Sequence, residues 1–455
     1  MTAFDPAHLA QITKGRWKVI APGLISGFSF DSRRVGRGQC FVALKSESRD
    51  GHDFVGDAAA RGASCVLASR VLDADIPQLL VEDTLVAMGA IAADVRRSYL
   101  KPVIGITGSC GKTSTKEMLR LLLGKNKTHA TAGNWNNRIG VPMTLFELDP
   151  GKHEFAVIEA GINQPGEMAM LGEMIAANLT ILTNIGPAHL ELLSSLEGIA
   201  AEKSKLAEFA LADSPLVLPA ETLQYPALAA LQDRCIVLAA GGESVPSGVR
   251  RSVRFSITVA DGGARKLTLG DDEYLVHSSS IGIATNAGLA LIAAEELGVD
   301  KDRLGERLEE WRPESTRGRV VSSEEGLFYI DCYNANPASM KDALSAFMEC
   351  SPAKQARCFV LGAMNELGSA AEEMHRLIGQ KVLLRPQDCA YFVGPKELAK
   401  AYLDGALLSG ASVRQLEWAE NVDHLKSLVA DFSGSLFLKG SRSYQLEKLL
   451  PESVS

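Results

Sequence analysis

The chain has no C-x-x-C pair; its eight cysteines (40, 65, 110, 235, 332, 350, 358, 389) are scattered along 455 residues. That excludes a disulfide framework and the common zinc frames, and it reads as the reduced thiols of a cytoplasmic protein. No run of 18 or more apolar residues occurs, so no membrane-spanning helix is expected. The opening "MTAFDPAHLAQITKGRW" lacks an apolar stretch followed by a small-residue cleavage site, so no secretory signal is expected either. Long basic runs are missing and the net charge is -8, which argues against nucleic acid as the main partner. Internal repeats and low-complexity tails are also absent. What remains, 46% hydrophobic and 22% charged, is globular composition at a length calling for two or three domains.

Three blocks follow one another. Up to residue 97, short apolar runs such as "CFVAL" (40–44) and "SCVLAS" (64–69) alternate with Gly- and Asp-rich turns, as in a small α/β unit. The second block opens at "KPVIGITG" and continues with strand-like "FAVIEAG" (155–161), "LTILTNIG" (179–186) and "PLVLPA" (215–220) between helical stretches. Strands alternating with helices imply a mostly parallel sheet covered on both faces. Between 241 and 280 the runs shorten around "DGG" and "GDD", which predicts antiparallel hairpins. A helix returns over "ATNAGLALIAAEELG", closed by Gly298, and from about 312 strands and helices alternate again. The expected fold is α/β in three domains: 1–97 a small α/β unit, 98–311 a central parallel-sheet domain, and 312–455 a Rossmann-like α/β domain.

Residues 105–119 read "GITGSCGKTSTKEML". The strict phosphate-loop pattern puts its first glycine six positions before the lysine, and that position is Ile106. The glycines here are Gly105, Gly108 and Gly111. The context still fits a phosphate site: a β-branched strand, a glycine turn, then a helix ended by Gly124. Such a junction aims main-chain N–H groups and the positive end of the helix dipole at one spot. Thr107, Gly108, Ser109, Cys110, Gly111, Lys112, Thr113 and Ser114 are the expected ATP-binding residues. Lys112 would reach the outer phosphates, and the Thr113 hydroxyl would ligate Mg²⁺. The alternative is an ordinary strand-to-helix turn with an exposed lysine.

The variant spacing G-x-T-G-x-x-G-K-T resembles that of the Mur ligases, ATP-dependent amide-bond-forming enzymes of peptidoglycan synthesis that share their fold with folylpolyglutamate synthases. The resemblance runs through nearly the whole chain as motifs in order. These are "DSRRVGRGQCFVALKSESRDGHDF" (31–54), the loop, "TAGNWNNRIGVP" (131–142), "EAGINQPGEM" (159–168) and "TNIGPAHLE" (183–191). They continue with "EKSKL" (202–206), "DCYNANPASM" (331–340), "LGAMNELG" (361–368) and "LKGSRS" (438–443). "YNANP" with "GNWNN" favours the members that add D-alanyl-D-alanine to UDP-N-acetylmuramoyl-tripeptide.

Joining a carboxylate to an amine with ATP proceeds through an acyl phosphate, so metal ions and fixed cations must offset the charge that gathers. Glu159 ends the strand "FAVIE" and His189 follows the next strand, and ligands of open parallel sheets lie at such carboxyl ends. The resemblance implies that both ligate metal, together with Thr113 and a carbamylated Lys203. It makes Lys112, Glu159, His189 and Lys203 the catalytic set. A lysine near other cations has a depressed pKa, and its neutral amine can capture CO₂; Lys205, two residues on, is the alternative in register. The resemblance further assigns Asn134, Asn136 and Asn137 to the tripeptide, Asp331 and Asn336 to the nucleotide, and Tyr333 and Asn334 to the dipeptide. Asn286 is expected at the adenine, Arg319 at the phosphates, and Asp31, Ser32 and Arg33 at the uridine-diphosphate end. A monomer whose domains close before chemistry is expected.

Three positions depart from the family pattern. Ala363 stands where an aspartate is usual, Gly282 and Ile283 stand where a polar pair is expected near the nucleotide, and "GRGQCF" (36–41) replaces the common "PGDLF". Three other readings stay open at this point: a sibling ligase adding one amino acid, or a folylpolyglutamate-synthase-like one adding glutamate to folate; a phosphate-loop kinase or GTPase; and a nucleotide-binding module without catalysis.

Overall fold

The computed structural model describes every residue except 1, 2, 189, 324, 325, 453 and 455. Its strands form three sheets. The first has five strands, in the order Arg16–Trp17, Gln78–Leu80, Cys65–Ala68, Cys40–Val42, Phe28–Ser29. The apolar runs of the first block are its buried middle strands. The Phe28 ring lies 4.5 Å from that of Phe146, whose helix Gly140–Phe146 belongs to the central part of the chain.

The central sheet has nine strands. From one edge they run Thr128–Ala130, Phe155–Glu159, Val103–Thr107, Leu179–Leu182, Leu216–Pro219, Cys235–Ala240, Arg251–Val259, Arg265–Leu269 and Asp272–Val276. All pairings as far as Arg251–Val259 are parallel. The last three strands form the hairpins expected near 241–280, and they extend the parallel sheet at its edge. Strand Val103–Thr107 is buried at every residue, which is why "VIGIT" is apolar up to its closing threonine. Strand Arg251–Val259 has one wetter face and alternates accordingly. Gly105 lies inside its strand against Leu206 and Ala177. It is a packing residue, so the displaced glycine of the motif is no part of the loop itself.

The third sheet has six strands, in the order Arg319–Ser323, Gly326–Asp331, Ser435–Lys439, Arg357–Gly362, Cys389–Val393, Leu416–Ala419. All are parallel except the first pairing, Arg319–Ser323 with Gly326–Asp331. Asp331 and Lys439 are register partners at the carboxyl ends of adjacent strands, where parallel sheets present their ligands.

Side chains from one part satisfy the main chain of the next. Arg96, on helix Thr84–Ser98, donates to the carbonyls of Ile175 (2.8 Å), Ala176 (2.7 Å) and Tyr99 (2.8 Å) and to Asn178 Oδ1 (2.8 Å). A cation there closes the end of helix Glu167–Ile175, where carbonyls lack intrahelical donors. Asp342, on helix Pro337–Cys350, accepts from the Ser280 hydroxyl (2.5 Å) and the Gly282 amide (3.1 Å), so the third part caps helix Ile281–Glu296 of the central part. Arg265 adds a two-pronged ion pair to Glu349 on the same helix. Among the described residues, no helix is long and apolar enough to cross a membrane.

Arg96→Met is expected to strand several buried carbonyls and to destabilise the chain by at least about 2 kcal/mol. A chemical-denaturation midpoint equal to that of the parent would contradict this account of the junction.

Candidate active site

The carboxyl ends of the central and third sheets face each other across a cleft of about 460 Å³. On the central side, Val103–Thr107 runs into the loop 108–111, and helix Lys112–Leu123 follows at once. Gly108 (φ 149°) and Gly111 (φ 79°) both have left-handed backbone. A Cβ at Gly108 would lie 1.8 Å from Thr183 Oγ1, and one at Gly111 would lie 2.1 Å from Asn286 Nδ2. Only glycine satisfies both the backbone and the space at these two positions. The amides of residues 111–114 begin the helix, so they have no acceptor within it and point into the cleft with the positive dipole end.

Asn184 fixes the front of this loop. Its side-chain oxygen accepts from the amides of Ser109 (3.1 Å) and Cys110 (3.0 Å), and the Thr183 hydroxyl donates to the Cys110 carbonyl at 2.6 Å. Behind the loop, the ammonium groups of Lys112 (2.8 Å) and Lys203 (3.1 Å) share the Gly108 carbonyl. Burial, with the Lys112 charge second, pushes the Lys203 ammonium well below its ordinary pKa. Lys112 is itself lowered by burial, partly offset by Glu159. Lys205 pairs instead with Glu202 at 2.7 Å, so Lys203 is the lysine beneath the loop. Thr107 closes the strand, and its buried hydroxyl has no partner among the described residues.

Glu159, 1% exposed at its strand end, accepts from the Thr113 hydroxyl (2.9 Å) and from Asn136 Nδ2 (2.7 Å). Asn136 therefore reaches the phosphate-loop helix through a single carboxylate. Asn134 and Asn137 line the same wall, and Asn137 Oδ1 also accepts from the amides of Ile139 and Gly140, starting the next helix. His189 lies outside the described residues.

The opposite wall comes from the third sheet. The Lys439 ammonium, almost fully buried, lies 2.5 Å from Asp331 and donates to the Asn334 carbonyl at 3.2 Å. Burial raises the Asp331 pKa while Lys439 opposes it. Tyr333 lies beneath the Arg317 guanidinium, 3.6 Å from ring centre to carbon. Asn334 is exposed in the cleft, while Asn336 caps helix Pro337–Cys350 through the Ser339 amide at 2.9 Å. Asn286 packs against Gly111 from its helix.

Two sets of the expected site residues lie off this cleft. Arg319 opens a strand opposite Ile330 and is not among the described residues that line the cleft; Arg317, two residues earlier, is. Asp31, Ser32 and Arg33 also lie off this cleft, on a turn of the first part. There the Arg33 guanidinium grips Asp31 at 2.9 Å through two nitrogens, and its side chain and amide hold the Asp31 carboxyl down to about 2. Phe30, next in sequence, brings that turn to the Asn-rich one, its ring 6.0 Å from Trp135. The departures resolve differently. Ala363 is buried against Gly394 and away from the cleft, whereas Gly282 and Ile283 line it, Gly282 close under Asp342. Arg317, Asn184, Asp342 and Lys439 received no role from the sequence, although Asn184 and Lys439 stand inside motifs quoted above.

A phosphate loop on one sheet, faced by amides, a stacked arginine and a buried lysine from another, is the build of a nucleotide-dependent enzyme that joins two further substrates. Three family models match: the Mur ligase family catalytic domain over residues 24–104, the Mur ligase middle domain over 106–287, and the Mur ligase glutamate ligase domain over 316–441. The chain belongs to the Mur ligase family. It is similar to the UDP-N-acetylmuramoyl-tripeptide--D-alanyl-D-alanine ligase of Escherichia coli, 32% identical with 92% of each chain covered. It is 34% identical to that of Synechocystis sp., covering 79% of this chain and 77% of the relative. Among solved structures, MurF from Acinetobacter baumannii matches with a TM-score of 0.86 at 29% identity, covering 99% of this chain and 98% of the other. MurF from Thermotoga maritima in complex with ADP matches at 0.78 and 25%, covering 93% and 95%.

Gly111→Ala is expected to drive a methyl into Asn286 and to strain a left-handed residue by about 1–3 kcal/mol. Titration with an ATP analogue should show a loss of at least about tenfold in affinity; unchanged affinity would mean the loop does not hold the nucleotide.

Proposed function

We propose that the chain is an ATP-dependent ligase that joins D-alanyl-D-alanine to UDP-N-acetylmuramoyl-tripeptide in peptidoglycan precursor synthesis, releasing ADP and phosphate. One observation carries this reading: Thr113, Glu159 and Asn136 link the phosphate-loop helix to an amide-rich turn in a single cleft. A carboxylate is a poor electrophile, and activating it with ATP brings two anions together. Fixed cations and amides must hold the charge at the loop, while neutral amides hold the acceptor without adding more.

In this reading, Lys112 and the amides of residues 111–114 hold the triphosphate. Asn134, Asn136 and Asn137 turn the tripeptide carboxylate toward it, and the turn carrying Asp31, Ser32 and Arg33 takes the uridine-diphosphate end. Tyr333 and Asn334 receive the dipeptide, whose amine displaces phosphate from the acyl phosphate. Asn286, Asn336 and the Asp331 paired with Lys439 border the nucleotide, and Arg319 serves its phosphates once the parts close, with Arg317 lining the cleft beside it. The parts so assigned are 1–97, 98–311 and 312–455, and closing them excludes water from the acyl phosphate.

Thr113 and Glu159 are hard oxygen donors that suit Mg²⁺. Among the described residues no group of three or more His, Cys, Asp or Glu gathers. His189 and a carbamylated Lys203 are the further ligands in this proposal. Bound there, Mg²⁺ offsets the charge of phosphoryl transfer. Lys203 suits carbamylation because its depressed pKa leaves a neutral amine to attack CO₂, losing a proton and turning a cation into a carboxylate. All eight cysteines are unpaired, which supports a cytoplasmic setting, and one chain completes the cleft, which supports a monomer.

Phosphate release should require ATP, the UDP-tripeptide and D-alanyl-D-alanine together, and should stop on chelation of Mg²⁺. Lys112→Ala should lower turnover by at least about 10²–10³-fold. Full-rate release without the dipeptide, or faster turnover with a single amino acid as acceptor, would overturn the assignment. Depleting CO₂ should lower activity and bicarbonate should restore it. Less bicarbonate should be needed as pH rises, because the neutral amine is the reacting form and its fraction grows upward through the depressed pKa. Indifference to CO₂ at every pH would remove the carbamate from the mechanism.

A further inference from the structure

Lys116 sits one turn into the phosphate-loop helix, where a lysine between polar neighbours ordinarily extends into water. Here its side chain is fully enclosed. Its ammonium lies 2.7 Å from the Thr131 carbonyl, 3.2 Å from the Gly133 carbonyl and 3.0 Å from the Glu117 carboxylate. An ammonium has three protons to give, and these three oxygens account for them, so the buried charge is both paired and hydrogen-bonded.

Two of the three acceptors are main-chain groups at the entrance of the turn that carries Asn134, Asn136 and Asn137. That turn sends Asn136 to Glu159, and Glu159 accepts from Thr113, three residues before Lys116 on the same helix. The Glu159 amide donates to the Thr131 hydroxyl at 2.9 Å. The contacts therefore close a ring from the helix through Lys116 to the turn, through Asn136 to Glu159, and through Thr113 back to the helix. Among the residues described as lining the cleft, Lys116 is not one.

We propose that Lys116 is a positioning residue for the tripeptide carboxylate: its ammonium holds the Asn-rich turn at a fixed height over the phosphate loop. The inference rests on the ligase reading above. A methionine of similar length would fill the space yet leave the Thr131 and Gly133 carbonyls without a donor, and such carbonyls relax toward water. The turn would shift while the loop amides and Lys112, which do not depend on this ammonium, kept their hold on nucleotide. The defect should therefore fall on one substrate.

The test compares the parent with Lys116→Met and Lys116→Gln. Phosphate release by the parent with both co-substrates is measured first, so that its failure counts against the ligase reading and not against Lys116. Both variants should bind an ATP analogue within about twofold of the parent but show a KM for UDP-tripeptide at least about tenfold higher, glutamine being the milder because it keeps a donor. Adding Asn136→Ala to Lys116→Met should cost less than the two single effects multiplied. An unchanged KM for UDP-tripeptide, parallel losses for both ligands, multiplicative effects, or failure of both variants to fold would each overturn the positioning role.

Discussion

The carboxylate of Glu159 has almost no access to water, yet it sits between the hydroxyl of a phosphate-loop residue and the amide of a substrate-side turn. A buried carboxylate without such donors is costly, so its two partners are obligatory. Much of the site follows from that demand. Thr113 must open the helix, Asn136 must approach from the neighbouring turn, and strand Phe155–Glu159 must lie beside Val103–Thr107 to bring the group there.

How much of this was legible in the sequence depended on where the signal lay. Local signals read well: the apolar run ending at Glu159, the glycine loop, the hairpins after 241 and the "NP" that opens helix Pro337–Cys350 all register as pattern. The three-domain α/β architecture was readable for the same reason. Pairings between distant residues were not. Nothing near Lys439 announces that strand Ser435–Lys439 returns beside Gly326–Asp331, so its partnership with Asp331 appears only in the sheet order. Lys116 carries no signal of burial, because helical periodicity marks faces and its neighbour across the fold is main chain with no sequence signature.

The two arginines beside Gly318 show a subtler limit. Residues 317 and 319 flank a glycine, and the pattern alone does not say which side chain turns inward. Arg319 is taken into strand pairing, while Arg317 precedes the strand, pairs with Glu314 at 3.0 Å and lies over the Tyr333 ring. The departures divide similarly. Ala363 looked like a lost functional group but lies within packing, whereas Gly282 borders the cleft and lets Asp342 approach from the third part.

The rings of Phe30 and Trp135 join the turn at Asp31–Arg33 to the turn at Asn134–Asn137. This contact couples the separation of the two turns to the packing of one ring against the other. In the proposed placement, a ligand anchored at both is gauged for length as well as for chemistry: one residue too short, and its carboxylate would stop before the phosphate loop; one too long, and it would buckle against it. The two tilted rings make the fold a ruler.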